Sequence, residues 1–222
     1  MNLYVIVEGE QTERKVYRRW IQYLNPYLRY VDNVANIINN NYVIYAGCGY
    51  PSYFDVIGAG IEDVNEHGKI DKLVIAVDSE DMSYEEKYHE IESFLSGRAC
   101  AAQIHIVVQH FCLETWALGN RVIVKKNPRS EKLREYLRFF DVVKHDPELL
   151  PAYKPEKLNR AQFSVKYLKA IVNERNAKLT YSKNDPKVLL NQKFFKRIRN
   201  RFETTGHIAS FDSFLRHSNE QA

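Results

Sequence analysis

Four short apolar runs alternate with longer amphipathic segments, and this order limits the possible folds more than any other feature of the chain. The apolar runs cover residues 3–7, 42–45, 73–77 and 104–108, the last interrupted by His105. Continuous apolar runs of this length are typical of strands that are buried on both faces of a sheet. Apolar residues at helical spacing predict helices at residues 16–24, 53–64, 84–95 and 114–118. The alternating order predicts an α/β fold with a mainly parallel, four-stranded sheet flanked by helices.

The chain changes character after about residue 120. Helical spacing in the second half predicts helices at residues 131–140, 161–173, 186–202 and 209–216. Residues 1–120 contain nine Lys and Arg against 17 Asp and Glu, whereas residues 121–222 contain 23 against 11. We therefore predict a Rossmann-like domain over residues 1–120 and a basic helical extension over 121–222 that packs on or beside it. The basic half favours contact with nucleic acid or phosphate, although basic helices can also be solvated surfaces.

The hydropathy pattern and the cysteine spacing bear on the compartment in which the chain is found. No apolar run approaches the length of a membrane span, and the N-terminus reads as a strand rather than a signal peptide. The three cysteines, Cys48, Cys100 and Cys112, have no Cys-x-x-Cys spacing. We therefore expect a cytoplasmic protein without membrane association, disulfide framework or zinc ribbon.

Acidic residues follow three of the four predicted strands. Glu8 follows the first strand, Asp78, Glu80 and Asp81 follow the third, and Glu114 lies just past the fourth. In a parallel sheet these strand ends converge at one edge, where ligands bind. Carboxylates brought together repel one another, and a divalent cation removes that repulsion. A ligand set made of oxygen atoms favours Mg²⁺ or Mn²⁺ over zinc.

Each acidic residue also has an ordinary structural interpretation. Glu8 can be the polar residue that starts a loop, and Glu114 can be an acid in the first turn of a helix. The cluster at residues 78–81 can cap the third helix, whose positive end favours negative charge. The combination of Glu-Gly after the first strand with an acidic cluster after the third is more specific than any single residue.

The motifs at the first and third strands resemble those of TOPRIM domains. Residues 4–13 read YVIVEGEQTE, and residues 74–81 read VIAVDSED. The resemblance covers roughly residues 3–118 and implies the TOPRIM fold, which topoisomerases, bacterial primases and OLD-family nucleases share. The hallmark Glu of the first motif matches Glu8. The Asp-x-Asp of the second motif matches at Asp78 but has Glu80 at its second position, so either Glu80 or its neighbour Asp81 is the further ligand.

Three further segments are similar to small TOPRIM proteins of bacterial defence systems. Residues 109–118, QHFCLETWAL, resemble the third acidic motif of RloB-like proteins. Residues 180–186 and 207–214 resemble the same set more loosely, including the TOPRIM effector of PARIS anti-phage systems. This resemblance implies an antiviral or toxin-type effector with a separately encoded partner ATPase and a possible homodimer.

The hypothesis that follows is Mg²⁺-dependent cleavage of nucleic-acid phosphodiesters. In it, Glu8 and Asp78 hold one ion, Glu80 or Asp81 completes the ligand shell, and Glu114 binds a second ion or positions water. Lys183 is the candidate cation near the developing phosphorane. The substrate is RNA, such as tRNA, or DNA, held by a basic helix that contains Lys193, Lys196, Arg197, Arg199 and Arg201.

Other functions stay open from the sequence. A non-catalytic module that binds nucleic acid or a partner protein fits the departure at Glu80. A third hypothesis is a phosphotransfer enzyme that acts on nucleotides, but the sequence shows no pocket for a nucleotide base. No Gly-x-x-x-x-Gly-Lys-Ser/Thr loop is present, so the chain does not hydrolyse ATP by that route. His105 is interpreted as a satisfied strand residue, and His110 as a residue that lines the site.

Overall fold

A computed structural model describes residues 1–176 and 181–218 of the chain. These residues form two compact units. The first unit contains Met1–Val77, Tyr84–Val108 and a segment that starts at Ser213. The second unit contains Asp78–Ser83 and Gln109–Asp212. Thr180, the first residue of one segment that resembles the defence proteins, lies outside the described residues.

Five parallel strands form one sheet, in the order β2-β3-β1-β4-β5. The strands are β1 (Leu3–Val7), β2 (Arg29–Tyr30), β3 (Asn41–Ala46), β4 (Lys72–Asp78) and β5 (Gln103–Gln109). The predicted α/β class and parallel sheet are confirmed, but the prediction of four strands is wrong. The extra strand β2 is only two residues long and is not buried, so it produces no apolar run in the sequence.

Eight α-helices accompany the strands in the described part of the chain. They are α1 (Thr12–Leu24), α2 (Tyr53–His67), α3 (Tyr84–Leu95), α4 (Leu113–Ala117), α5 (Glu131–Phe139), α6 (Arg160–Arg175), α7 (Gln192–Thr205) and α8 (Phe211–His217). None of the helices in the described residues is long and apolar enough to cross a membrane.

Helices cover both faces of the sheet in the first unit. Tyr4 and Ile6 point to one face and share a buried core with Ile57 of α2 and Ile91 of α3. On the other face, the Tyr42 hydroxyl of β3 donates a hydrogen bond to a backbone carbonyl of α1 over 2.8 Å. This alternation along each strand explains why β1 is buried at every position.

The second unit is built around aromatic side chains. Tyr136 of α5 packs edge-on against Tyr153 and Phe163, with ring centroids 5.2 and 5.0 Å apart. Helix α7 begins at Gln192, so the predicted start at residue 186 is wrong. The residues before it form turns, in which the Leu189 N–H donates to the Pro186 carbonyl, and the Asn191 side chain caps the helix by accepting the Lys193 N–H.

Candidate functional site

Glu8 lies directly after β1 in the first unit, where two glycine-containing turns surround it. The Gly49 N–H donates to the Glu8 carbonyl over 3.2 Å. The Gly9 N–H donates to the carboxylate of Glu13, a buried residue of α1. A Cβ on Gly9 would lie 3.1 Å from Glu13 Oε2, so the absence of a side chain there allows this close contact. The Glu-Gly pair of the sequence motif therefore has a defined local role in the fold.

Three polar side chains of the first unit contact one another below the surface. One of them is a cation, Lys87, that the sequence did not single out. The Lys87 ammonium of α3 lies 2.6 Å from Glu90 Oε2, and the Tyr53 hydroxyl donates to the same oxygen over 3.0 Å. Burial, the hydrogen bond to Glu90 and then the charges of Glu90 and Glu8 raise the pKa of Tyr53. The Glu8 carboxylate is thus within electrostatic range of Tyr53.

Asp78 is the last residue of β4, and its side chain is half-buried. The Gln109 side-chain amide donates to Asp78 Oδ1 over 3.1 Å. The backbone of the loop after β4 is tied to the end of β5, because the Ser79 N–H donates to the Gln109 carbonyl over 3.1 Å. These contacts fix the Asp78 carboxylate at the carboxyl end of its strand within the second unit.

The two acids after Asp78 are exposed to solvent. Glu80 has a φ of +50°, and its N–H donates to the Phe111 carbonyl over 2.9 Å. Arg160, at the start of α6, donates to the Asp81 carbonyl over 2.6 Å and lies 4.1 Å from the centroid of the Phe111 ring. A guanidinium therefore lies beside the acidic loop, and the sequence reasoning missed it because Arg160 is 79 residues from Asp81.

Glu114 belongs to α4, and only 2% of its surface is exposed. The Tyr181 hydroxyl donates to Glu114 Oε1. Burial, followed by the negative charges of Glu114 and Asp78, raises the pKa of the Cys112 thiol well above its usual range. Asp78 and Glu114 are therefore both within electrostatic range of one buried thiol in the second unit.

Lys183 lies on an exposed turn close in sequence to Tyr181. The Asp185 N–H closes this turn by donating to the Ser182 carbonyl over 3.0 Å. Because the Tyr181 hydroxyl donates to Glu114, the turn that carries Lys183 follows directly after a residue that contacts Glu114.

The two histidines near β5 have different surroundings. His110 Nδ1 and Ser79 Oγ are joined by a hydrogen bond of 2.8 Å, so His110 lies against the loop that follows Asp78. His105 stacks on His217, with ring centroids 4.1 Å apart, and its buried Nε2 has no hydrogen-bond partner in the described residues. The prediction that His105 is satisfied is therefore wrong. Burial and the His217 charge lower the pKa of His105 to about 4, which keeps the ring neutral.

A metal site at these strand ends would depend on how the donor atoms of the acidic residues are grouped. Within residues 1–176 and 181–218, no three His, Cys, Asp or Glu side chains are grouped so that they could hold a metal ion. The candidate side chains supply carboxylate oxygens, which are the ligand type that Mg²⁺ and Mn²⁺ prefer. Gln109 and Tyr181 each donate to one of these carboxylates, Asp78 and Glu114 respectively. The oxygen donors are therefore of the type that a hard divalent cation prefers, but the described residues do not bring three of them together.

The basic helix α7 has one exposed and one buried face. Lys193, Lys196, Arg197 and Arg199 are exposed. Arg201 is 1% exposed and donates to the carbonyls of two residues in the second unit, Val142 and His145, both over 2.6 Å. The prediction that Arg201 belongs to a phosphate-binding surface is therefore wrong, because its guanidinium is used inside the fold.

Comparison with protein-family models, with curated proteins and with solved structures finds no match for this chain.

Proposed function

We propose that the chain is a TOPRIM-type nuclease that cleaves nucleic-acid phosphodiesters with Mg²⁺ or Mn²⁺. The observation that carries the proposal is that two carboxylates of the second unit, Asp78 and Glu114, are each held by a side-chain hydrogen bond and both raise the pKa of the buried Cys112 thiol. Acidic side chains in this position, after consecutive parallel strands, lie where α/β folds bind their ligands. We include Glu8 in the proposal because it follows Val7, the register partner of Ala76 in β4.

In this proposal Asp78 would hold one ion, with Glu80 or Asp81 as a further ligand and Glu114 holding a second ion or a water molecule. Glu8 is the candidate ligand that the first unit contributes. A bound divalent ion supplies charge neutralisation at the phosphate and a lower pKa for water. Gln109 orients the Asp78 carboxylate through its hydrogen bond. Tyr181 orients Glu114 in the same way.

Cations of the second unit have separate roles in the proposal. Arg160 holds the backbone of the acidic loop through the Asp81 carbonyl and leaves the Asp81 side chain exposed. Lys183 is exposed on its turn and adds a positive charge for the phosphate that undergoes cleavage. The exposed cations of α7 hold the strand through its phosphates, which gives affinity without base recognition.

The biological role belongs to the same proposal. The resemblance to defence proteins supports a cytoplasmic antiviral or toxin-type effector that acts on RNA, such as tRNA, or on DNA. A partner ATPase that keeps the nuclease silent and a homodimer follow from that analogy.

A non-catalytic binding module is the second candidate. It is favoured by the Tyr181–Glu114 hydrogen bond, because a carboxylate with a protein donor and 2% exposure can serve as a structural acid. In that case the basic surface alone carries the function.

Incubation with three substrates separates the two candidates. Transfer RNA, single-stranded DNA and plasmid DNA are each incubated with the protein in Mg²⁺, in Mn²⁺ and in EDTA. The nuclease proposal predicts products in Mg²⁺ or Mn²⁺ that EDTA abolishes. Binding of these nucleic acids without products in any buffer would instead establish the binding module.

A further inference from the structure

The second unit contains a cleft of about 830 Å³ between α7, the C-terminal end of α6 and the segment after α4. Its size is in the range of ligand-binding pockets, which are roughly 300–1,000 Å³. Five cationic side chains line it: Arg175, Lys187, Lys193, Lys196 and Arg197. Among the described residues that line it, none is acidic. The cleft therefore has the charge of an anion-binding site.

The positive charge is concentrated by the geometry of α7. Lys193, Lys196 and Arg197 are three and four residues apart, so they lie on one face of the helix. The N-terminal end of this 14-residue helix also faces the cleft, and its dipole adds positive potential. Within the described part of the chain, Lys187 is the one cation of the five with a carboxylate within 4 Å, at 3.0 Å from Asp185.

Two further features of the cleft indicate a ligand that carries more than a phosphate group. Apolar side chains form part of the wall, including Val122, Ile123, Val188 and Phe194. Val122 is 55% exposed, so part of this apolar wall is accessible to a ligand. A ligand that carries a flat apolar ring next to its negative charge would cover this wall.

Asn120 supplies the second feature. It lines the cleft, is only 5% exposed, and its buried Oδ1 has no hydrogen-bond partner in the described residues. A buried amide oxygen without a donor is unfavourable, and rotation of the Asn120 amide towards the cleft would let a donor brought by a ligand satisfy it. The amide of Asn offers one acceptor and two donors, which matches the edge of a nucleobase.

We propose that this cleft binds one nucleotide, with the phosphate on the cations of α7, the base against the apolar wall and the base edge on Asn120. The ligand is either a free nucleotide or one nucleotide of a single strand, since both have this chemistry. The inference goes beyond the proposed function, because it concerns binding alone. Its test is carried out in EDTA, so failure of the nuclease proposal does not affect the result.

The experiment is a calorimetric titration of the whole chain with AMP, ribose 5-phosphate and inorganic phosphate in EDTA. We expect AMP to bind about tenfold more tightly than the two probes without a base. Equal binding of all three probes, or no binding of AMP, would overturn the proposal. A single-stranded oligoadenylate that displaces AMP identifies a strand as the source of the nucleotide, and AMP binding without displacement identifies the free nucleotide.

Three variants test the assigned roles. Asn120→Leu should weaken AMP binding about tenfold without lowering the melting temperature, because it removes an unsatisfied polar atom. Lys196→Gln with Arg197→Gln, both exposed, should weaken AMP and ribose 5-phosphate alike. Lys144→Gln is the control, because the exposed Lys144 does not line the cleft and pairs with Asp141. Unchanged AMP affinity in both test variants would refute the assignment.

Discussion

The Tyr181 hydroxyl donates a hydrogen bond to the Glu114 carboxylate, and both side chains are buried. The two residues are 67 positions apart in sequence. The contact gives Glu114 a neutral donor in the absence of metal. It therefore connects the stability of the second unit to the carboxylate that we propose as a ligand.

Removal of this hydroxyl should make stability depend on metal. Tyr181→Phe leaves a buried carboxylate without its donor, at a cost of about 1–3 kcal/mol in the free energy of unfolding. If Glu114 binds Mg²⁺, adding the ion should restore part of that loss. Thermal unfolding in EDTA and in Mg²⁺ measures both effects.

The matched control is Tyr167→Phe. The Tyr167 hydroxyl donates over 2.7 Å to the Phe140 carbonyl, which is not a candidate ligand. This variant should lose stability equally in EDTA and in Mg²⁺. An unchanged melting temperature of Tyr181→Phe in EDTA would show that the hydrogen bond does not stabilise Glu114.

Two arginines of α7 should have opposite effects on stability and binding. Arg201→Leu leaves the carbonyls of Val142 and His145 without their donors and should cost about 2–4 kcal/mol. Arg197→Gln changes an exposed side chain and should leave stability within about 0.5 kcal/mol while weakening nucleic-acid binding. Thermal unfolding and fluorescence anisotropy with labelled RNA measure the two quantities. A stability loss in Arg197→Gln that matches Arg201→Leu would contradict this division.

The Glu148 carboxyl should make stability fall with rising pH. Burial raises its pKa to about 7, although hydrogen bonds from Ser210 oppose the rise. Between pH 4.5 and about 7 the folded chain keeps a proton that the unfolded chain has lost, so the free energy of unfolding decreases as the pH rises. The side chain of Glu148→Gln cannot lose a proton. In this variant the decrease in the free energy of unfolding over this pH range should be smaller by about 1–3 kcal/mol.

Chemical denaturation at pH 5 and pH 8 provides the measurement for Glu148. Glu62→Gln, at an exposed position of α2, is the control and should follow the wild type. Identical pH dependence in the wild type and Glu148→Gln would show that Glu148 does not titrate in this window.

Local sequence patterns predicted most of the regular structure. Apolar runs and helical spacing located β1, β3, β4 and β5 and the helices between them, because burial on a sheet or on a helix face leaves a periodic signal. The two residues of β2 are too few to leave one. The residues before α7 have helical spacing, but the Asn191 side chain caps the helix by accepting the Lys193 N–H, so the helix starts at Gln192.

The candidate site was predictable only in part. The acids were recognisable because they directly follow strands, and strand ends are visible in the sequence. Their partners Gln109, Arg160 and Tyr181 were not, because each contact depends on how distant segments pack. Asn120 and the cleft that it lines depend on the same long-range packing.

The most direct test of the central claim is the rate of metal-dependent cleavage by Asp78→Asn. Asparagine keeps an oxygen for the Gln109 hydrogen bond and removes the charge that a divalent ion needs. Asp55→Asn, at an exposed carboxylate of α2, makes the same chemical change outside the proposed ligand set. On the substrate that the wild type cleaves fastest in Mg²⁺, Asp55→Asn should match the wild type and Asp78→Asn should be slower by at least about 100-fold. Cleavage by Asp78→Asn at the wild-type rate would contradict the account.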